Sequence, residues 1–167
     1  MHEVILPFFL GWMQFGKVGS GYIKIIGEHN MSKTAVVYWS MTGNTESMAK
    51  AVAEGAGANA ELFNVSDFDN SRIDEFDAFA LGCPAIGDEV LEDGEFEPFF
   101  EAVKDKLAGK KVALFGSYGW GDGQWMRDWE KSCNDAGITL ATSSVICNDA
   151  PGEDELEQCK ALGASLS

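Results

Sequence analysis

The segment Ser40-Met41-Thr42-Gly43-Asn44-Thr45 stands between a predicted strand and a predicted helix and is rich in hydrogen-bond donors. It supplies three hydroxyl groups and one amide side chain, and the N–H groups at the start of the helix have no partner within that helix. Neutral donors at a helix N-terminus favour an anion such as a phosphate. The competing interpretation is a helix cap, because Ser, Thr and Asn are the usual capping residues, although one of them suffices for a cap.

The same loop contains no Lys or Arg, and neither G-x-x-x-x-G-K-[ST] nor G-x-G-x-x-G occurs in the chain. Absence of the first motif argues against a phosphate positioned for transfer, and absence of the second argues against a dinucleotide. A phosphate that is held and left intact is typical of a cofactor anchor.

Two further loops follow predicted strands, Cys83-Pro84-Ala85-Ile86-Gly87-Asp88-Glu89 and Ser117-Tyr118-Gly119-Trp120-Gly121-Asp122-Gly123. The second loop places two aromatic residues among three glycines. Because a glycine-flanked Trp in a loop has little core to join, a planar ligand is its expected partner. The alternative is a surface aromatic residue that packs on its own loop.

Hydrophobic runs alternate with helical periodicity through the rest of the chain. Strands are predicted at 33–39, 60–65, 77–82, 112–116 and 138–147, and helices at 44–56, 97–108, 123–136 and 153–166. This alternation predicts an α/β fold with a doubly wound, five-stranded parallel sheet in the order 2-1-3-4-5 and helices on both faces. Ligands of such folds bind outside the carboxyl ends of the strands, which is where the three loops begin.

The composition excludes several functions. With 27 acidic and 12 basic residues the net charge is −15, which repels nucleic acid and anionic membranes and attracts basic protein partners. The four cysteines are widely spaced and indicate reduced thiols, with a structural disulfide as the alternative. Both histidines lie in the first thirty residues, so neither a metal site nor Cys/His catalysis is predicted.

Residues 1–30 do not match the pattern of the remainder. Their apolar run lacks a cationic start and an A-x-A-like cleavage site, and it is too short to span a bilayer. Met31 stands directly before the first strand, and Gly27-Glu28 would be encoded by GGN-GAR, a purine-rich tract just upstream. We therefore expect residues 1–30 to be an extension that is disordered or arises from a mis-assigned translation start, and residues 31–167 to form the domain.

The stretches VVYWSMTGNTE, LGCPAIGDE and VALFGSYGWGDGQWMRDWE resemble the flavodoxins, in particular the short-chain clostridial type. The similarity runs from about residue 32 to the end of the chain. It implies a flavodoxin-like fold that binds flavin mononucleotide (FMN) non-covalently. The last strand region leaves no room for the insertion found in long-chain members.

Carried over by position, the resemblance implies a set of cofactor-binding residues. The phosphate would be held by side chains of Ser40, Thr42, Asn44 and Thr45 and by backbone N–H groups of this loop, which also contains Met41 and Gly43. The ring would be bordered by Pro84, Ala85, Ile86, Gly87, Asp88 and Glu89, and by Ser117, Tyr118, Gly119, Trp120, Gly121 and Asp122.

Three of these positions receive specific roles from the resemblance. Trp120 would stack on the outer face of the ring and Ile86 would flank its inner face, where similar proteins often carry Met. The Glu89 carboxylate would accept a hydrogen bond from the ring N–H on the pyrimidine side. Met41 stands where the family often has Gly.

The resemblance also implies how the site controls reduction. The peptide between Gly87 and Asp88 would flip on one-electron reduction, a change that glycine allows without strain. Carboxylates beside the ring would disfavour the anionic hydroquinone and lower its potential. The acidic residues expected to act in this way are Asp88, Glu89, Glu92, Asp93, Glu95 and Asp122. The alternative, above all for Glu92 and Glu95, is an ordinary solvated surface.

The implied function is a low-potential one-electron carrier, shuttling between semiquinone and hydroquinone for anaerobic-type redox enzymes, without substrate turnover of its own. Implied partners have basic docking surfaces and include ferredoxin-type reductases, pyruvate:ferredoxin oxidoreductase and hydrogenase. The protein is expected to be a cytoplasmic monomer. Two alternatives remain open: a flavodoxin-like NAD(P)H-dependent quinone or nitro reductase, and a binding module that has lost its flavin.

Overall fold

A computed structural model describes residues 32–167 and, within a separate unit that spans Met1–Met31, two short strands. These strands, Lys17–Val18 and Tyr22–Ile23, pair in antiparallel orientation. The other residues of the expected extension at 1–30 lie outside the described residues.

The unit Ser32–Ser167 contains one five-stranded sheet in which every neighbouring pair of strands is parallel. The strands are β1 (Thr34–Tyr38), β2 (Ala60–Asn64), β3 (Ala78–Gly82), β4 (Lys111–Tyr118) and β5 (Val145–Asn148). Their order is β2-β1-β3-β4-β5. The predicted order 2-1-3-4-5 is therefore confirmed, and β1 and β3 are buried at every position because helices cover both faces.

Four helices cover the two faces of the sheet: α1 (Asn44–Ala56), α2 (Phe96–Leu107), α3 (Gln124–Asp135) and α4 (Glu153–Ala164). Apolar residues of α1 and α4 share one core with Val36, Ala80 and Phe115 of the strands. Apolar residues of α2 and α3 share the other core with the strand residues that point to the opposite face of the sheet, including Val37 and Leu81. This alternation follows from the two-residue period of a strand.

Helices α1 and α4 approach each other closely because glycine stands at both contact points. A Cβ atom on Gly55 would collide with the carbonyl oxygen of Lys160, and one on Gly163 would collide with that of Val52. This close contact fixes α1, and with it the loop that precedes α1, against the sheet.

The last two strands, β4 and β5, have different boundaries from those predicted from the sequence. The predicted last strand at 138–147 is mostly wrong, because β5 begins only at Val145 and the earlier part contributes a single bridge, Leu140 to Val112. The polar run at 142–144 interrupts the apolar pattern there. Strand β4 extends to Tyr118, so that Ser117 and Tyr118 belong to the strand and not to a loop.

All four cysteines lie in this unit, and all are free and buried. Burial raises the pKa of Cys133 and of Cys159 to about 12. Their thiols therefore stay protonated at neutral pH, which agrees with the interpretation of reduced core residues. None of the helices in the described part of the chain is both long and apolar enough to cross a bilayer.

Candidate functional site

A cleft of about 310 Å³ opens at the carboxyl ends of the strands, where the loops after β1, β3 and β4 meet. Its size falls at the lower end of the range for small-molecule sites. Residues that line it are Ser40, Met41, Thr42, Asn44, Thr45, Pro84, Ala85, Ile86, Gly87, Ser117, Tyr118, Gly119, Trp120 and Asp149. All of them except Asp149 belong to the predicted cofactor-binding set. The predicted residues Gly43, Asp88, Glu89, Gly121 and Asp122 do not line the cleft.

The loop between β1 and α1, residues 40–45, is named the phosphate loop. Gly43 is the N-cap of α1 and has a φ of +92°, a conformation that glycine adopts without steric strain. Its N–H donates to Ser40 Oγ at 3.1 Å. Because the cap residue has no side chain, helix capping does not account for the hydroxyl and amide groups of Thr42, Asn44 and Thr45.

Thr45 and Ser117 bring two buried hydroxyl groups together beneath the cleft. Thr45 Oγ1 lies 3.1 Å from Ser117 Oγ, and the two residues are 1% and 6% exposed. One hydroxyl hydrogen serves the bond between them, so the other remains to be donated. An anion oxygen in the cleft that both residues line would supply the acceptor that a buried donor requires.

No basic side chain is found among the described residues that line the cleft. The phosphate end therefore offers neutral donors and the positive end of the α1 dipole, as the sequence predicts. This donor set fits the monophosphate of FMN, because the described lining binds a phosphate without the cationic groups that stabilise the charge of a phosphoryl-transfer transition state.

Asp149 lies in the loop after β5 and is the one carboxylate among the described lining residues. Its backbone has a φ of +59°, and its N–H donates to the carbonyl oxygen of Tyr118 at 2.8 Å. Asp149 is absent from the predicted set, because that set was drawn only from the loops after β1, β3 and β4. Its position directly after a strand at the ligand-binding edge was the available signal.

Residues 84–90 form the first ring loop. Ala85 donates its N–H to the carbonyl oxygen of Ser117 at 2.9 Å, which fastens the loop to β4. Ile86 and Val90 exchange two backbone hydrogen bonds of 2.9 and 3.0 Å, so the three residues between them form a closed turn. Gly87, in this turn, has a φ of +53° and open space where a side chain would stand.

Residues 119–123 form the second ring loop. Trp120 is 62% exposed although it is large and apolar, and it lines the cleft. The predicted partner of such a residue is a planar ligand. Asp122 instead forms an ion pair of 2.6 Å with Arg127 Nη2, outside the cleft.

Two acidic residues that were predicted to control the potential have structural partners. Glu95 Oε2 accepts the indole N–H of Trp39 at 2.9 Å. Glu92 accepts the N–H groups of Gly94, Glu95 and Phe96, each at 2.8 Å, at the start of α2. Partial burial opposes the charge of Glu92, but these three bonds outweigh it and lower the pKa of the carboxyl.

Replacing Glu92 with Gln is expected to reduce the loss of stability in acid. Because the folded-state pKa lies below the ordinary value of about 4.3, the carboxylate stabilises the fold fully above that value and loses this contribution as pH falls through the lowered pKa. Denaturant unfolding of the FMN-free protein between neutral and acid pH should show a smaller decline for Glu92→Gln than for the wild type. Glu97→Gln, at an exposed position in the first turn of α2, is the control; parallel curves for wild type and Glu92→Gln would contradict the expectation.

Comparison with known proteins agrees with this site. The flavodoxin family model matches residues 36–163, a range that includes every residue lining the cleft. The chain is 47% identical to a flavodoxin of Clostridium beijerinckii, over 79% of this chain and 97% of that protein. It is 46% identical to the flavodoxin of Megasphaera elsdenii, over 79% and 96%.

A solved structure supports the same assignment. The solution structure of two-electron reduced Megasphaera elsdenii flavodoxin superposes with a TM-score of 0.73 at 44% identity, covering 80% of this chain and 97% of that one. Sheet order, cleft and sequence agree, and they confirm the resemblance recognised from the three motifs. The chain therefore belongs to the flavodoxin family, whose members bind FMN and carry electrons.

Proposed function

We propose that this chain is a low-potential carrier that moves electrons singly between redox proteins and holds FMN in the cleft between the phosphate loop and the two ring loops. The observation that carries the proposal is the composition of the cleft: neutral donors at one end, and Trp120, Ile86 and Asp149 among the remaining lining residues. When bound, FMN supplies a ring that takes up and releases electrons in single steps.

At the phosphate end, the side chains of Ser40, Thr42, Asn44 and Thr45 bind the phosphate together with N–H groups of the loop. This arrangement orients the cofactor, because the α1 helix that carries Asn44 and Thr45 is fixed against the sheet and against α4. The phosphate loop thus contributes affinity for FMN without taking part in electron transfer.

At the ring end, Ile86 and Trp120 would flank the two faces of a bound ring and limit the access of water to it. The peptide after Gly87 lies in the closed turn between Ile86 and Val90, where its carbonyl group would be free to reorient towards the ring. Glycine makes this reorientation inexpensive, since both signs of φ are open to it.

The charge of the protein favours a low potential. The chain carries −15, and Asp149 places one carboxylate on the cleft itself. Negative charge near the ring opposes the addition of further negative charge to it. The same charge attracts basic docking surfaces, such as those we expect on ferredoxin-type reductases, pyruvate:ferredoxin oxidoreductase and hydrogenase.

We further propose that the carrier acts as a cytoplasmic monomer without substrate turnover of its own. The alternative, an NAD(P)H-dependent quinone or nitro reductase, is not favoured by the family assignment. It would also need room over the ring for nicotinamide and substrate, and Trp120, which lines the cleft, would cover one of the two faces.

Titration of the FMN-free protein with FMN, followed by a redox titration of the complex, tests the proposed function. We expect one FMN per chain and two separate one-electron steps, with the second at the more negative potential. Mixing the oxidised complex with NADPH should give no rapid reduction. A single two-electron step, or rapid reduction by NADPH alone, would contradict the proposal.

A further inference from the structure

Glu89 connects the two ring loops through the backbone of the second. Its Oε1 atom accepts the N–H groups of Asp122, Gly123 and Gln124 at 3.2, 2.9 and 2.9 Å. We propose that Glu89 is a positioning residue, which holds the second ring loop and the N-terminus of α3 at a fixed place relative to the first ring loop before any cofactor is bound. The proposal rests on the proposed function of the cleft as the FMN site.

The contact depends on unusual backbone conformations on both sides. Glu89 itself has a φ of +56°, which is uncommon for a residue with a side chain and carries a cost in strain. The two-bond bridge between Ile86 and Val90 maintains this conformation by closing the turn. Strain of this kind persists only where surrounding contacts enforce it, and here the bridge and the three bonds to Oε1 supply those contacts.

Glycines on the second ring loop make space for the carboxylate. A Cβ atom on Gly121 would collide with the carboxyl carbon of Glu89. Gly121 and Gly123 have φ values of +89° and +90°, and the N–H groups of residues 122–124 all point to Glu89 Oε1. A concave group of backbone donors of this type binds an anion, and here that anion is the carboxylate of Glu89.

Glu89 also replaces a missing cap on α3. Gly123 is the N-cap of this helix and offers no side chain, so the first N–H groups of the helix need an acceptor from elsewhere. Glu89 Oε1 accepts the N–H of Gln124, the first residue of the helix, and the carboxylate interacts favourably with the helix dipole. The cap thus comes from a different loop, more than thirty residues earlier in the chain, and couples the two loops mechanically.

The coupling matters for the site because Trp120 has little other support. It is 62% exposed and lies between Tyr118, at the end of β4, and Asp122, at the Glu89 contact. The strand fixes one end of this short segment and Glu89 fixes the other. The expected ring acceptor and the cap are compatible, since the three bonds all end on Oε1 and none on Oε2.

Amide hydrogen exchange of the FMN-free protein, measured residue by residue by NMR, tests the proposal. In Glu89→Ala we expect the protection of the amides of residues 122–124 to fall by about tenfold or more. Glu89→Gln retains a neutral acceptor and should show a smaller loss. Asp93→Asn, which removes one negative charge at an exposed position nearby, should leave these amides unchanged. Amides of β1 and β3 report that each variant is folded.

Unchanged protection at residues 122–124 in Glu89→Ala, together with weaker FMN binding, would show that Glu89 acts on the ring alone and would overturn the proposal. Lost protection at these amides with faster FMN dissociation would support it. Because the exchange is measured without cofactor, its result is independent of whether the protein serves as the proposed carrier. A failure of FMN to bind the wild type would count against the proposed function and leave the exchange result intact.

Discussion

Replacing Thr45 with Val is expected to weaken FMN binding by about 10- to 150-fold, because a hydrogen bond to a charged group contributes about 1.5–3 kcal/mol. The change keeps the shape of the side chain and removes only the hydroxyl group. Thr45 is 1% exposed and bonds to Ser117 Oγ at 3.1 Å, so water cannot readily replace the lost partner. Riboflavin, which lacks the phosphate, should bind wild type and variant with nearly equal affinity.

Thr34→Val is the matched control for this substitution. Thr34 lies at the opposite end of β1 and is also 1% exposed, and its Oγ1 has no hydrogen-bond partner among the described residues. The same chemical change there should leave FMN affinity unaltered and cost no stability, since a buried unpaired hydroxyl group is itself unfavourable. Isothermal titration with FMN and with riboflavin measures the affinities, and denaturant unfolding of the FMN-free variants measures the stability. Equal losses for the two ligands in Thr45→Val would show that the hydroxyl group does not serve the phosphate.

The phosphate loop could be predicted because its evidence is local. Residue types between a strand and a helix are enough to indicate an anion site, and the order of the sheet follows from the alternation of elements with short connections. Every predicted residue of this loop except Gly43 lines the cleft. Gly43 contributes through its backbone conformation instead, which residue type alone suggests only weakly.

The parts that the sequence did not reveal depend on turn geometry and on contacts between distant loops. Glu89 was expected to bind the ring, and its φ of +56° together with Gly121 and Gly123 of the second ring loop directs its Oε1 atom to the start of α3 as well. Asp149 reaches the cleft because the loop after β5 bonds to Tyr118, a contact between segments about thirty residues apart. Neither arrangement leaves a periodic or compositional pattern.

Acidic residues near the ring illustrate the same limit. Their types and positions predicted a common electrostatic role, but Glu92 and Glu95 satisfy donors of the protein, and Asp122 forms an ion pair with Arg127. The Arg127 cation offsets the charge of Asp122, whereas the neutral donors bound to Glu92 and Glu95 hold those charges in place without cancelling them. Asp149 lines the cleft itself, so we expect it to affect the potential although it lies outside the predicted set of acids.

Replacing Trp120 with Ala is expected to weaken FMN binding by about 5- to 150-fold, because stacking of an aromatic side chain on a heterocyclic base contributes about 1–3 kcal/mol. Trp120 is 62% exposed and borders the cleft, so most of its apolar surface is free to cover a ring. Trp120→Phe keeps an aromatic plane of smaller area and should lose less affinity.

Measurements on the FMN-free protein separate the stacking of Trp120 on FMN from a contribution of Trp120 to the stability of the fold. Because more than half of the Trp120 surface is exposed, its removal should cost much less free energy of unfolding than the loss of about 3–5 kcal/mol that follows when a buried aromatic side chain is replaced by Ala. Leu62→Ala, at an exposed apolar position on β2 that does not line the cleft, should leave FMN affinity unchanged. Fluorescence titration with FMN and denaturant unfolding measure the two quantities. A large loss of stability in Trp120→Ala would mean that the indole packs on its own loop, which is the alternative that its glycine neighbours left open.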